Sequence, residues 1–333
     1  MNVRQFAPWG FLVFAATGPF WYIQSAFALS LLTTTLIFMA TSLAWNIVGF
    51  TGLLSFGHSA FFGLGAYTSV LLYIHFDVSP WIGMLPAAFV AVVAALIIGV
   101  PSFRLRGIYF TLVTFTVTLI LAILAGHFRV LTGGQVGLSV PFQRNNPSAM
   151  QFENKVWFFY IALVLVALCF VIAVLIRRSR LGYALRAIRD DENAAEASGV
   201  KVLRSKLVAL IVSAILTALA GVVYAQFILF IDPTGMFGLA TAALIALPAI
   251  AGGLGTIWGP VLGALVLVPL EQALNDQFSS AIPGLSQIVY AAILIIIVLL
   301  DPGGLLSLIK RMTQWFRALL ELSSSPRARE ASK

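Results

Sequence analysis

The sequence predicts an all-α integral membrane protein, a polytopic helical bundle of about ten transmembrane segments, and three observations carry that reading. Of 333 residues, 60% are hydrophobic and 10% charged, with a mean hydropathy of +1.00, against roughly 45–50% apolar and 25% charged in soluble domains. The charges are also spaced far apart: no Asp, Glu, Lys or Arg occurs in the 72 residues between Arg4 and Asp77. Finally, stretches such as 291–298 are apolar at every position, whereas membrane-spanning strands alternate apolar and polar residues over about ten positions. That period excludes a barrel.

A spanning helix needs roughly 20 apolar residues, and this length allocates the segments in order. The run 5–76 holds three; 78–103, 107–128, 156–176 and 207–231 hold one each. The run 233–270 holds two short spans and 277–300 the last. Small residues at Ala26 and Ala28 after an apolar stretch imitate a signal-peptide cleavage site, but Trp21 and Tyr22 are bulky and the apolar run continues beyond. An uncleaved first span is the expectation. Residues 1–309 then form the transmembrane domain. In the tail, 310–333, residues 310–320 suit an interfacial amphipathic helix with Trp315 and Phe316 inward, and the Ser- and charge-rich remainder suits disorder.

Orientation follows from the basic residues. An N-in/C-in arrangement puts 17 of 20 Lys and Arg on one side, leaving Arg129, Arg144 and Lys155 opposite. The positive-inside rule makes the rich side cytoplasmic. The net charge of +8 is thus a topology signal with attraction to anionic lipid. Nucleic acid is excluded as a partner, because the basic residues interleave with bilayer spans.

Several chemistries find no support. There is no phosphate loop of the Gly-x4-Gly-Lys-Ser/Thr type. The cluster Gly252-Gly253-Leu254-Gly255 lacks the third glycine of a dinucleotide fingerprint and lies in an apolar run. Gly255, Gly259 and Gly263 instead recur every fourth residue, the small-xxx-small pattern of close helix contact. Ala91, Ala95 and Gly99 repeat that pattern, as do Ser213, Thr217 and Gly221. His58, His75 and His127 stand apart, with no carboxylates at metal-ligand spacing, and Cys169 is the single cysteine. No metal site, catalytic residue or cofactor bound by this chain is expected. The long charge-free runs carry no acid or base near their centres, whereas ion-coupled carriers usually need intramembrane ionisable groups. Energy for any transport is expected from elsewhere.

The segment 177–206 holds eight basic and four acidic residues. Leu181, Ala184, Leu185 and Ile188 fall at i, i+3, i+4, i+7, predicting a helix with one modest apolar face. Asp190 or Asp191 can cap a second short helix, and Gly199 can stop it. Such a helix pair suits a docking element for a cytosolic partner, and equally a solvated cytoplasmic loop.

The stretch Arg186-Ala187-Ile188-Arg189-Asp190-Asp191-Glu192-Asn193-Ala194-Ala195-Glu196-Ala197-Ser198-Gly199 resembles the coupling loop of bacterial ABC importer permeases. It is most similar to the M-type permease subunit of branched-chain amino-acid importers, in the hydrophobic amino-acid uptake family. The segment 46–67, from Asn46 through Gly49, Gly52, Ser55, Gly57, His58 and Gly65 to Tyr67, resembles that family's N-terminal signature. Arg104 to Phe110, Leu131-Thr132-Gly133-Gly134 with Gly137-Leu138, and Gly252 to Gly255 with Gly259-Pro260 follow in the family's order. The resemblance covers roughly 30–305. Gln135-Val136 depart from the Pro-Asn that many relatives carry after the paired glycines.

The resemblance implies a pore shared with a homologous second permease subunit, two cytoplasmic ATPase subunits using ATP and Mg, and a periplasmic amino-acid-binding protein. It implies a multi-pass location in the bacterial inner membrane. Arg186, Arg189, Asp190, Glu192, Ala194, Ala195, Glu196, Ala197 and Gly199 would enter an ATPase groove. Glycine- and serine-rich backbone within a membrane is tolerated where it lines a protein-covered or watery cavity. Asn46, Thr51, Gly52, Ser55, Gly57 and His58 are therefore candidates for the translocation path, with bonding between neighbouring helices as the alternative. Thr111, Thr114 and Thr118 form a stripe that suits interhelical bonding. The external loop 127–155, with Thr132, Gly133 and Gly134, lies where a binding protein would dock. Transport of urea, short amides or another small neutral solute is the competing function, and an ion-coupled carrier a more distant one.

Overall fold

The computed structural model describes residues 25–278, 284–300 and 304–307. Residues 1–24, where the first of the three spans expected before Asp77 falls, lie outside the described residues, as does the expected tail helix at 310–320. The α-helices run α1 (Ala26–Gly49), α2 (His58–Phe76), α3 (Pro80–Ser102), α4 (Ile108–His127), α5 (Arg129–Thr132), α6 (Val156–Arg178), α7 (Arg180–Asp190), α8 (Glu192–Ala197), α9 (Val202–Ile228), α10 (Pro233–Phe237), α11 (Leu239–Gly253), α12 (Trp258–Phe278) and α13 (Leu285–Leu300). Two two-residue strands, β1 (Leu138–Ser139) and β2 (Phe230–Ile231), pair antiparallel with Leu138 opposite Ile231.

Seven segments among the described residues are long and apolar enough to cross a bilayer: α1, α2, α3, α4, α6, α9 and the stretch 233–253 formed by α10 and α11. This is a multi-pass, helical membrane protein. The remaining charge-free runs carry α12, whose later turns hold Glu271 and Asp276, and α13, which is 16 residues long.

Local chemistry sets the helix starts. Ser25 caps α1, its Oγ accepting from the Ala28 amide at 3.3 Å. Pro80 opens α3, where a missing N–H leaves nothing unsatisfied. Asp191 caps α8, accepting from the amides of Asn193 and Ala194 at 2.8 and 3.0 Å.

Helix α1 occupies the middle of the bundle and packs against α6, α9, α11 and α12. Nearly every residue from Thr33 to Gly49 is buried. Its threonines survive there because their hydroxyls bond back to their own helix, Thr33 to the Leu29 carbonyl and Thr41 to that of Phe38. Helix α9 is the second pillar, against α1, α2 and α3. Helices α3 and α4 lie outside, exposing Leu85, Phe89 and Ile97 on one and Leu112, Ile120 and Ile123 on the other.

Backbones approach closely where side chains are smallest. A Cβ on Gly65 of α2 would strike the Ala218 backbone of α9, and one on Gly221 of α9 would strike the Phe62 carbonyl of α2. On α12, Gly259 and Gly263 lie against the backbones of Gly253 and Pro248 in α11. Gly255 does not share that helix face. It sits in the turn between α11 and α12 at φ +74°, a left-handed conformation that side chains rarely adopt. The four-residue spacing therefore combines one turn glycine with two packing glycines. The Ala91, Ala95, Gly99 stripe is buried on α3, where Gly99 meets Leu207 and Leu210 of α9.

Gly263→Leu is expected to force α11 and α12 apart, overpacking costing about 1–3 kcal/mol, and to lower the thermal midpoint of the detergent-solubilised protein. Val130→Leu, at a side chain 99% exposed in the loop after α4, adds volume with nothing packed against it. Size-exclusion recovery after heating ranks the two; equal midpoints would count against the packing role of Gly263.

Candidate functional site

One end of the bundle collects the connections 50–57, 103–107, 179–201 and 254–257. Asn46, fully buried near the end of α1, is their first junction. Its Oδ1 accepts from the Gly255 amide at 2.9 Å, and its Nδ2 donates to the Thr256 carbonyl at 2.6 Å. One side chain thus closes the α11–α12 turn onto α1. Trp45 does the same for the 50–57 turn, its indole N–H donating to the Ser55 carbonyl at 2.5 Å.

His58 begins α2 and is the second junction. Its Nε2 lies 2.7 Å from Ser213 Oγ of α9, and its Nδ1 3.1 Å from Ser55 Oγ. Ser213 gives its own hydrogen to the Ala44 carbonyl of α1 at 2.6 Å. Having one hydrogen, Ser213 must accept from His58, so Nε2 carries the proton and Nδ1 accepts from Ser55. The network joins α1, α2 and α9 with every ring nitrogen used.

Asn46, Ser55, Gly57 and His58, together with Thr51, are buried, while Gly52 is exposed. Their polar groups bond neighbouring helices, the alternative reading of the same glycine- and serine-rich stretch. Thr51 bonds the Val48 carbonyl at 2.7 Å. The break in the helix spans only 50–57, and α2 runs on through Gly63 and Gly65, which serve contact with Phe237 and Ala218. Of the threonine stripe, Thr111 bonds across to the Leu54 carbonyl at 2.8 Å, whereas Thr114 and Thr118 bond within α4.

The charged loop forms the expected helix pair, α7 and α8. Leu185 and Ile188 face inward and are buried. Arg186 bonds its own turn and lies 4.6 Å over the Tyr183 ring. Arg189 lies across the two turns at Gly52 and Gly255. Asp190, Ala194, Glu196, Ala197 and Gly199 are exposed. Two residues depart from the expected docking set: Ala195 is buried, and Glu192 is an ion partner of Lys206 at 2.7 Å. Alternating burial on a helical turn accounts for the first. The second follows because Lys206, 1% exposed, needs an anion.

Sequence reasoning missed Lys206, Ser213 and Thr256 as partners. Lys206 is the last basic residue before a 25-residue charge-free run, a signal that a cation enters the bundle there. Arg106, in the α3–α4 turn, adds a bond to Asn193 Oδ1 of α8 at 3.0 Å.

At the opposite end, Thr132 and Gly134 are buried within their loop. The Thr132 hydroxyl bonds the carbonyls of Ala125 and Phe128, and Gly133 and Gly134 adopt φ of +74° and +63°. These residues shape the loop. Val130 and Val136 are the exposed neighbours. The β1–β2 pair fastens this loop to the α9–α10 connection, and the Trp81 indole bonds the Pro147 carbonyl at 2.9 Å. Among the described residues, no group of three or more His, Cys, Asp or Glu could hold a metal ion.

Residues 27–298 match the family described as "Branched-chain amino acid transport system / permease component". The high-affinity branched-chain amino acid transport system permease protein LivM of Escherichia coli (strain K12) is 30% identical over 318 residues, 89% of this chain and 73% of the relative. LivH of Salmonella typhimurium (strain LT2), named as a permease protein of the same kind of system, is 26% identical over 278 residues, 78% of this chain and 87% of the relative. The L-arabinose transport system permease protein AraH of Escherichia coli (strain K12) is 29% identical over 114 residues, 33% of this chain and 35% of the relative. No solved structure matches.

Glu192→Gln leaves the buried Lys206 ammonium without its counter-charge. Breaking a buried pair costs about 3–5 kcal/mol, and the cost here should fall toward the lower end because Glu192 is 25% exposed. The expected thermal midpoint falls, and Lys206→Met in the same chain restores most of it. A double variant as unstable as Glu192→Gln would remove the ion pair as the cause.

Proposed function

Because this chain belongs to the family of permease components of branched-chain amino acid transport systems, we propose that it is the translocation subunit of an ATP-driven importer of branched-chain amino acids. The observation that carries the reading is the family match across 27–298, joined to 30% identity with LivM over 89% of the chain. ATP hydrolysis belongs to two separate cytoplasmic ATPase subunits, and ligand arrives on a periplasmic binding protein. Similarity to both LivM and LivH supports a second, homologous permease as the pore partner. The location is the inner membrane, with about ten spans, both termini cytoplasmic, and 177–206 on the cytoplasmic side.

The helix pair α7–α8 is the coupling element. Glu196, Ala194 and Ala197 offer an exposed acidic and small-residue face that suits insertion into a groove. Load applied there has three routes into the bundle: Glu192 to Lys206 on α9, Asn193 to Arg106 before α4, and Arg189 to the turns at Gly52 and Gly255. ATP-driven closure of the ATPases moves this element and switches the bundle between inward and outward access. Affinity resides in the binding protein, so weak contacts suffice along the pathway.

The assembled complex in proteoliposomes, with its binding protein outside and ATP inside, is expected to take up radiolabelled leucine and to ignore excess urea. Uptake of urea in preference to leucine would assign the second substrate class. Glu196→Lys reverses one exposed charge and is expected to abolish uptake while the chain stays inserted and assembled with its partner permease. Gly199→Asp is expected to do the same by straining the left-handed C-cap of α8, where Gly199 has φ +87°. Normal uptake by both variants would remove the docking role.

A further inference from the structure

The end of the bundle opposite the charged helix pair contains a cavity of about 220 Å³ between the 142–155 segment, the start of α6 and the end of α9. Its wall is aromatic. Phe158 stands edge-on to Phe227 at 5.5 Å and to Phe152 at 5.6 Å between ring centroids. Into this wall are set three groups that the helical fold does not explain: Glu153, Lys155 and Gln226.

Glu153 and Lys155 are both exposed, and among the described residues neither takes part in an ion pair. The Lys155 ammonium lies 5.7 Å from the Phe227 ring centroid and gives one hydrogen to Ser30 Oγ at 3.2 Å. An ammonium has three donors, so two remain. Gln226 is fully buried, yet among the described residues neither its amide nitrogen nor its oxygen has a partner. A buried side-chain amide without partners is costly, and glutamine is a poor choice for packing alone. A cavity with an anion and a cation that form no ion pair among the described residues, an unpartnered amide and an aromatic wall is complementary to a small zwitterion with an apolar tail.

From this complementarity we propose that the cavity is a reception site on the permease itself for a free α-amino acid with an apolar side chain. Lys155 takes the ligand carboxylate, Glu153 takes its ammonium, and Phe152, Phe158 and Phe227 cover the side chain. Gln226 gains a hydrogen-bonding partner at the back of the cavity when the ligand enters. The choice of amino acid class rests on the proposed function, whereas the zwitterion chemistry rests on the cavity. The site would hold ligand between release from the binding protein and passage into the bundle. A zwitterionic lipid headgroup offers related chemistry, so the test must separate the two sources.

The assembled complex in nanodiscs of phosphatidylglycerol, without ATP or binding protein, is titrated with tritiated leucine in a scintillation proximity assay. Saturable binding is expected, competed by leucine but weakly by leucinamide, which lacks the carboxylate, and by 4-methylpentanoate, which lacks the ammonium. Lys155→Met and Glu153→Gln are each expected to weaken binding roughly tenfold, the scale of one charge-assisted hydrogen bond. Gln226→Leu is expected to weaken it less and to raise the thermal midpoint, because the unpartnered amide is gone. Leucine binding that is absent in the wild type, or equal in wild type, Lys155→Met and Glu153→Gln, overturns the site. Loss of leucine binding when phosphatidylethanolamine is added to the discs assigns the cavity to lipid and also overturns it. Intact leucine uptake with unaltered binding in the variants sinks the site alone. Binding with the expected variant losses, in a complex that takes up no leucine, keeps the site and sinks the transport reading.

Discussion

Lipid tails are as apolar as leucine, so helices in a bilayer gain little by burying leucines on one another, and close backbone contact must supply the attraction instead. The rest of this bundle depends on that constraint. The core pairs of helices meet at Gly65 against Ala218, Gly221 against Phe62, and Gly259 and Gly263 against α11. Each contact puts backbone against backbone, where the many weak dispersion terms add up. Large apolar residues such as Trp45 and Phe62 fill the core beside these contacts, while α3 and α4 expose theirs.

Close approach alone does not define which helices meet, because small residues are interchangeable. Specificity comes from a few buried polar side chains whose hydrogen bonds cannot be made elsewhere. Asn46 accepts and donates to one turn only, and the Ser55–His58–Ser213–Ala44 chain works only with α1, α2 and α9 in this arrangement. An unmade bond at such a site carries the full cost of desolvation. These networks sit at the end of the bundle that also bears the charged helix pair, so the elements that could receive a push are the elements most firmly tied to each other.

The sequence made the helical bundle legible because charge spacing is a direct record of bilayer crossing. Each charge-free run from 78 to 300 contains a helix, and the loop helices α7 and α8 follow from Leu185 and Ile188 on one face and Asp191 as a cap. Partnership was less legible. Asn46, Ser55 and His58 read equally as path-lining or as bonding groups, since a polar residue in an apolar run has the same local pattern in both cases. The bonding partners, Ser213 and Thr256, lie far away in sequence and have no local signal. Glu192 and Ala195 were hidden for the same reason: their neighbours across the fold decide whether they face solvent. Gly255 illustrates a different limit, because spacing of four residues is counted along a helix and a turn intervened.

The two ends of the molecule therefore treat charge in opposite ways. Around α7 and α8, the buried Lys206 is matched to Glu192 and Arg106 bonds Asn193, while Asp190 and Glu196 stay exposed. At the far end, Glu153 and Lys155 stand on an aromatic cavity without ion partners among the described residues, beside the unbonded amide of Gln226. Paired charges make a mechanical joint, because moving one displaces the other. Unpaired charges in a shaped cavity leave interaction energy available to a ligand. On the proposed function a permease needs both properties, and separating them by the length of the bundle would keep a ligand from loosening the proposed joint.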